Sequence, residues 1–499
     1  MGGGLMQLVA YGSQDIYLTG NPQITFFKIV YRRHTNFSIE PIQQVFNSNG
    51  NWGRSITATI SRNGDLLYRM YITVKLPSVP SNNGGTDQFR WLNWLGHIII
   101  QQAEIEIGGQ KIDRHYGHWL HIWNELTQTF GHQAGYATMV GNVPRLVQSS
   151  TDNIPSITLY IPLRFWFNRN VGLALPLIAL QYHDIKLNLQ LANLQDCYWA
   201  SSSARVPTDI LDVSLWVDYI YLDTDERRRF AQASHEYLIE QLQFNGDMPI
   251  LTTVEQMKMA FNHPIKEIIW TVQKDSIINS TLMKDYGGQQ WFNFTDSIDY
   301  TYFSGTPQDP LGGGIGTAAY NAGNWFSSLP MSGTANSSIA TAGEYGTNYY
   351  SNISVYTFNE LFGAPMPNSS VGWTSQLPIF DSGENPIALA KLQLNGHDRI
   401  SQREGRYFNT VIPQECHENC PATGINVYSF ALKPEEHQPS GTCNFSRIDL
   451  AQLLLNITSA TYTSPITNGN TDTAKCRIYA TNYNVLRIMS GMAGLAFTN

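Results

Sequence analysis

Residues 105–114 read Ile105-Glu106-Ile107-Gly108-Gly109-Gln110-Lys111-Ile112-Asp113-Arg114, and residues 392–399 read Leu392-Gln393-Leu394-Asn395-Gly396-His397-Asp398-Arg399. An alternating strand, a glycine-bearing turn and an Asp-Arg pair thus occur twice. Two further landmarks keep the same order. Pro176 precedes Ile185 by nine residues and Pro439 precedes Ile448 by nine, each isoleucine opening an alternating strand. Strand-like segments at Trp216–Leu222 and Arg477–Ile488 then close the two halves. Weak matches in a preserved order point to a duplicated domain. Duplicated antiparallel domains of this size are most often sandwiches or jelly rolls. The expectation is that Gly109 superposes on Gly396, Pro176 on Pro439 and Ile185 on Ile448.

The same alternation runs through Ile56–Ile60, Tyr71–Leu76, Ile185–Leu191 and Leu215–Leu222, the period of a half-buried strand. Arg62-Asn63-Gly64-Asp65 sets an Asn-Gly between two strand patterns and predicts a hairpin. Helical spacing is scarce. Trp119, Ile122, Trp123 and Leu126 recur at it within His118–Thr129, and a second helix is expected from Asp223, which caps it while Glu226 reaches back. A chain of 499 residues exceeds the roughly 250 to 300 that one core supports. The second helix, over residues 223–236, is therefore expected to link two β-rich halves. Between Ser304 and Gln376 only Asp309, Glu344 and Glu360 are charged, amid Gly, Ser, Thr, Asn and Tyr. Exposed loops at the outer end of the second half are expected there.

Charged residues make up 14% of the chain, well below the roughly 25% of an average domain. The polar surface must be mostly uncharged, which suits faces that meet neighbours, since charge is depleted at interface cores. A net charge of -8 argues against a direct nucleic-acid face. Arg227, Arg228 and Arg229 follow Asp223, Asp225 and Glu226, so they read as a solvated helix face. Cys197, Cys416, Cys420, Cys443 and Cys476 are few and odd in number, so reduced thiols and no stable disulfide are expected. The opening MGGGLMQLVAYG lacks the charged region and long apolar run of a signal peptide, and Met6 stands where a myristoylation motif wants Ser or Thr. A soluble protein made inside the cell is expected.

No chemical site emerges: the expectation is no catalytic, cofactor-binding or metal residue. His115, His118 and His121 lack an accompanying HExxH pattern and read as polar positions flanking the Trp119 and Trp123 stripe of one helix. Cys416-His417-Glu418-Asn419-Cys420 lacks the second ligand pair of a structural zinc site and reads as free thiols in a loop, with zinc or a local disulfide as alternatives. Gly312-Gly313-Gly314-Ile315-Gly316 has no following Lys-Ser or Lys-Thr to cradle phosphate. Eight N-x-S/T triplets, at Asn36, Asn279, Asn293, Asn336, Asn352, Asn368, Asn444 and Asn456, are common by chance in so Asn-rich a chain.

Longer blocks carry a resemblance. Leu8-Val9-Ala10-Tyr11-Gly12-Ser13-Gln14-Asp15 with Tyr17 through Lys28, Ile60 through Leu66, Gly172 through His183, Trp216 through Tyr219, His235 through Gln241, Pro439 through Asp449 and Tyr483 through Gly491 together resemble major capsid proteins of nucleocytoplasmic large DNA viruses, of the algal and amoebal giant virus type. The blocks cover both halves in order; residues 304–376 match none. The resemblance implies an all-β fold of two tandem eight-stranded antiparallel jelly rolls with short helices in loops. It divides the chain into an N-terminal arm (1–25), a first roll (26–222), the linker helix (223–236) and a second roll (237–499). It implies a homotrimeric, pseudo-hexagonal capsomer tiling an icosahedral shell, with lateral capsomer contacts and minor capsid proteins on the inner face. No enzyme activity and no cofactor are implied, outer loops could carry glycans, and assembly in the host cytoplasm is expected. The competing readings are a carbohydrate-binding or hydrolysing β-sandwich, which needs aromatic platforms and placed carboxylates, and a viral receptor-binding spike.

Overall fold

The computed structural model describes residues 3–10, 12–81, 85, 87–207, 211–298, 384–462 and 472–497. Eight principal strands form the first half: β1 (Phe37–Gln44), β2 (Ser55–Thr59), β3 (Leu66–Lys75), β4 (Ile100–Ile107), β5 (Gln110–Tyr116), β6 (Thr158–Pro162), β7 (Ile185–Leu191) and β8 (Asp212–Leu222). One sheet runs β1-β8-β3-β6 and the other β2-β7-β4-β5, all antiparallel. The second half supplies β9 (His235–Ile250), β10 (Val254–Met259), β11 (Pro264–Lys274), β12 (Ile387–Leu394), β13 (His397–Glu404), β14 (Ile425–Ser429), β15 (Ala451–Ile457) and β16 (Ala474–Met489). Its sheets run β9-β16-β11-β14 and β10-β15-β12-β13. The strand order is the same in both halves, so the chain folds as two tandem eight-stranded jelly rolls.

Alternation builds each core. Ile185, Leu187, Leu189 and Leu191 of β7 are buried while Lys186, Asn188 and Gln190 are not, and Ala451, Leu453, Leu455 and Ile457 repeat the pattern on β15. Each fully buried Leu or Ile is worth about 1.5–3 kcal/mol against its exposed state.

The duplication holds at the turn and shifts elsewhere. Gly108 and Gly109 (φ 58° and 84°) join β4 to β5, and Asn395 and Gly396 (φ 49° and 79°) join β12 to β13. Both are tight turns with two left-handed residues, so Gly109 and Gly396 are equivalent. The other two pairs are not. Register aligns Pro176, opposite Leu66, with Asn444, opposite Pro264, and aligns Ile185, opposite Ile107, with Ala451, opposite Leu394. Pro439 and Ile448 lie outside the strands, because the connection into β15 is shorter than that into β7. The Asn63-Gly64 hairpin is also absent. β2 and β3 belong to different sheets, and Gly64 is needed because a Cβ there would lie 2.7 Å from Cβ of Tyr219.

The β5–β6 connection holds two longer helices, α1 (Gly117–Thr127) and an unanticipated α2 (Phe130–Val140), and one short turn of helix at Pro144–Val147. α3 (Thr224–Gln232) follows Asp223, whose Oδ1 accepts from the Thr224 N–H at 2.8 Å. Among the described residues Glu226 returns no bond to this cap. α3 buries no residue, although Arg227 pairs with Asp65 at 3.0 Å and Phe230 packs near Leu66 and Tyr68. The expected loops at 304–376, with the glycine run at 312–316, lie outside the described residues.

α1 is the wedge between the rolls. Trp119, Ile122, Trp123 and Leu126 pack against Ile269, Ile425, Val427 and Tyr479 of the second roll. Reciprocally, β9 and β16 overrun their own roll, and Ile239, Leu486 and Ile488 join the core of the first. Trp119 is fully buried, 5.7 Å from the Trp123 ring and 5.6 Å from that of Tyr479. Trp119→Ala should therefore cost about 3–5 kcal/mol and divide one calorimetric unfolding transition into two, as the rolls lose their common wedge.

Candidate functional site at the seam between the rolls

Around α1 the seam is lined by aromatic rings and imidazoles. His121 stacks on Phe292 with ring centres 4.3 Å apart, Trp94 lies parallel to His97 at 5.8 Å, and His97 Nε2 is 2.7 Å from the Tyr136 hydroxyl. Burial removes the water that would solvate a charged imidazole. It lowers His97 to about 3, helped by Arg164, and lowers His118 and His121 well below the usual range. These rings are neutral packing groups, which corrects the expectation of ordinary polar positions flanking an indole stripe. His115 is not on the helix at all: it lies near the end of β5, where it is 3.1 Å from Asp113 and stacks on Phe165.

A second cluster is charged and as deeply buried. Glu240 of β9 takes Lys266 Nζ at 2.7 Å and Arg169 Nη1, from the first roll, at 2.8 Å. Burial alone would raise the Glu240 carboxyl, but Lys266, His437 and Arg169 overcome it and hold it at about 2. Glu267, which follows Lys266 along β11 where the strand is bulged, lies 3.1 Å from His417 Nε2, while His417 Nδ1 lies 2.8 Å from Glu435. Burial would lower His417; the two flanking carboxylates raise it to about 9. Both nitrogens of His417 thus face carboxylates, and Cys416 and Cys420 are unbridged. One local cue points to this cluster: Lys266-Glu267 interrupts the otherwise largely apolar β11.

The N-terminal segment before β1 is the third feature. It holds two short helices, Gly3–Val9 and Ile16–Thr19, and its apolar side chains face outward, Tyr17 at 88% and Phe27 at 98% exposure. Contiguous apolar exposure on this scale marks a surface that meets another molecule.

These shifts predict the pH profile of stability. A folded imidazole held below 6.5 binds fewer protons than its unfolded counterpart, so the His97, His118 and His121 contribution is lost as pH falls below 6.5, by about 2 kcal/mol at pH 5 for His97. His417 has the opposite sign: its stabilisation is complete below 6.5 and lost as pH rises through about 9. The melting temperature should peak near neutrality and fall on both sides. His417→Gln should remove the alkaline limb and cost about 3–5 kcal/mol, because Glu267 is left buried without its counter-charge.

The family described as "Major capsid protein N-terminus" matches residues 25–223, and that described as "Large eukaryotic DNA virus major capsid protein" matches residues 226–494. The major capsid protein of Phaeocystis pouchetii virus is 48% identical over 544 aligned residues, and that of Paramecium bursaria Chlorella virus 1 is 41% identical over 517, each covering all of both chains. Among solved structures, a chain of the PBCV-1 virus capsid matches with a TM-score of 0.64 at 33% identity, over 95% of this chain and 100% of that one. The Faustovirus major capsid protein matches with a TM-score of 0.65 at 11% identity, over 96% and 94%, a likeness of fold alone. These relatives are structural proteins and not enzymes. The chain belongs to the large eukaryotic DNA virus major capsid proteins, and is a structural subunit that assembles with other capsid subunits into the virion.

Proposed function

We propose that three copies of this chain close into a pseudo-hexagonal capsomer that tiles an icosahedral shell. The observation that carries this reading is the identical strand order of the two rolls. A cyclic trimer of a two-roll chain has six similar sides, so one subunit can meet neighbours in a near-hexagonal array. The division into an arm (1–25), a first roll (26–222), a linker (223–236) and a second roll (237–499) belongs to the same proposal.

Burial at the trimer contacts follows from the surface. With charge at 14% of residues, the sides can approach without stripping water from many ions. The arm, with Leu8, Tyr17, Leu18 and Phe26 exposed, suits contact with minor capsid proteins on the inner face. Direct nucleic-acid contact is not part of the proposal, given the net charge of -8. Assembly in the host cytoplasm fits the five unbridged cysteines. Glycans on outer loops are compatible with this role.

Each subunit pair should bury well over roughly 2,000 Å². Light scattering at micromolar concentration should give about three times the 56.1 kDa chain mass; a stable monomer would defeat the proposal.

A further inference from the structure

We propose that a cleft at one end of the molecule, between loops of both rolls, binds a single neutral pyranose ring. The cleft is lined by the β3–β4 and β5–β6 connections of the first roll and, from the second, by residues 289–295 after β11 and by the β13–β14 connection. In an antiparallel succession these connections leave the strands at the end opposite the Gly108-Gly109 and Asn395-Gly396 turns. The cleft is therefore part of an end face rather than of the lateral sides, and the inference does not depend on the oligomeric state.

Its volume and chemistry select the ligand. About 160 Å³ is several times the roughly 30 Å³ of one water, and small for an oligosaccharide. Trp94 and Phe292, both half-buried, offer ring surface to the C–H face of a sugar, and Asn93, Asn142 and Gln289 offer carboxamides. A carboxamide both donates and accepts, as a ring of hydroxyls requires. Among the described residues no lysine or arginine lines the cleft, and its one acidic group is Glu125, so an anionic ligand has no counter-charge.

Two observations indicate a site that awaits a partner. Among the described residues His121 Nδ1 is buried without a partner, and Gln289, 7% exposed, lines the cleft beside it. Buried polar groups are normally satisfied, so such atoms facing a cleft call for a polar guest. Trp94 holds φ 56° and ψ 44°, a left-handed conformation that a bulky residue seldom keeps and that recurs where strain serves a ligand clamp. Burial also raises Glu125 to about 7, so near neutrality it can donate as well as accept.

Saturation-transfer NMR on the full chain tests this, with the methyl glycosides of glucose, mannose and galactose as probes and N-acetylneuraminic acid as the charged control. At least one neutral glycoside should bind with Kd on the order of millimolar, as expected for so few atoms, and the acid should not. Trp94→Ala and Gln289→Ala should each weaken binding at least tenfold; if the first fails to fold, the second decides, with its melting temperature as the check on folding. Transfer from no neutral glycoside, equal affinity in folded Gln289→Ala, or equal binding of the acid would overturn the proposal. Glycans released from host cells and from virions, titrated separately, identify the source of the natural ligand.

Discussion

The burial of α1 in the second roll is the contact on which the rest of the architecture depends. Each roll has its own two-sheet core, and the two are fixed relative to one another by α1 together with the overrunning parts of β9 and β16. Separated, the first roll would expose Trp119 and Trp123 and the second Ile239, Leu486 and Ile488. Because the exchange runs both ways, sliding or rotating one roll would open voids in both cores, and close-packed interiors do not deform continuously. A chain built this way presents its sides as one rigid body, which is what a lattice subunit requires.

Charge acts at the same seam in a different manner. Buried ion pairs often contribute little net stability, since desolvation offsets attraction, but breaking one is costly. Arg169 of the first roll reaches Glu240 of the second, which also holds Lys266. Misplacing the rolls would strand these charges, so the cluster selects one relative placement while the apolar wedge supplies the adhesion. The neutral imidazoles around Phe292 complete the division of labour: they pack as rings and hold the seam closed only while they stay unprotonated.

Much of this was legible in the sequence where physics is local. Strands announced themselves through alternation, α1 through the spacing of its indoles, and the duplication through two glycine turns whose left-handed residues admit few alternatives. Legibility failed where a local cue has two outcomes. Asn63-Gly64 looks like a hairpin turn, yet the same dipeptide serves a crossing between sheets, and only the approach of Tyr219 decides. Pro176 and Pro439 share a spacing to isoleucine but not a register, because loop length is free to vary while strand pairing is not. The cleft around Trp94 and the partners of Glu267 in the Glu267–His417–Glu435 cluster escaped for a further reason: their members meet from parts of the chain far apart in sequence. Resemblance to capsid proteins supplied the function, which composition and periodicity alone had left at a two-domain β protein.

Single-particle cryo-electron microscopy of the purified protein would show whether one rigid two-roll subunit becomes a six-sided tile. Three-fold particles are expected, in which six jelly rolls stand at nearly equal radius, with α1 inserted in the second roll of its own chain. Particles of another symmetry, or rolls set at variable angles with density for α1 lost from the seam, would contradict this.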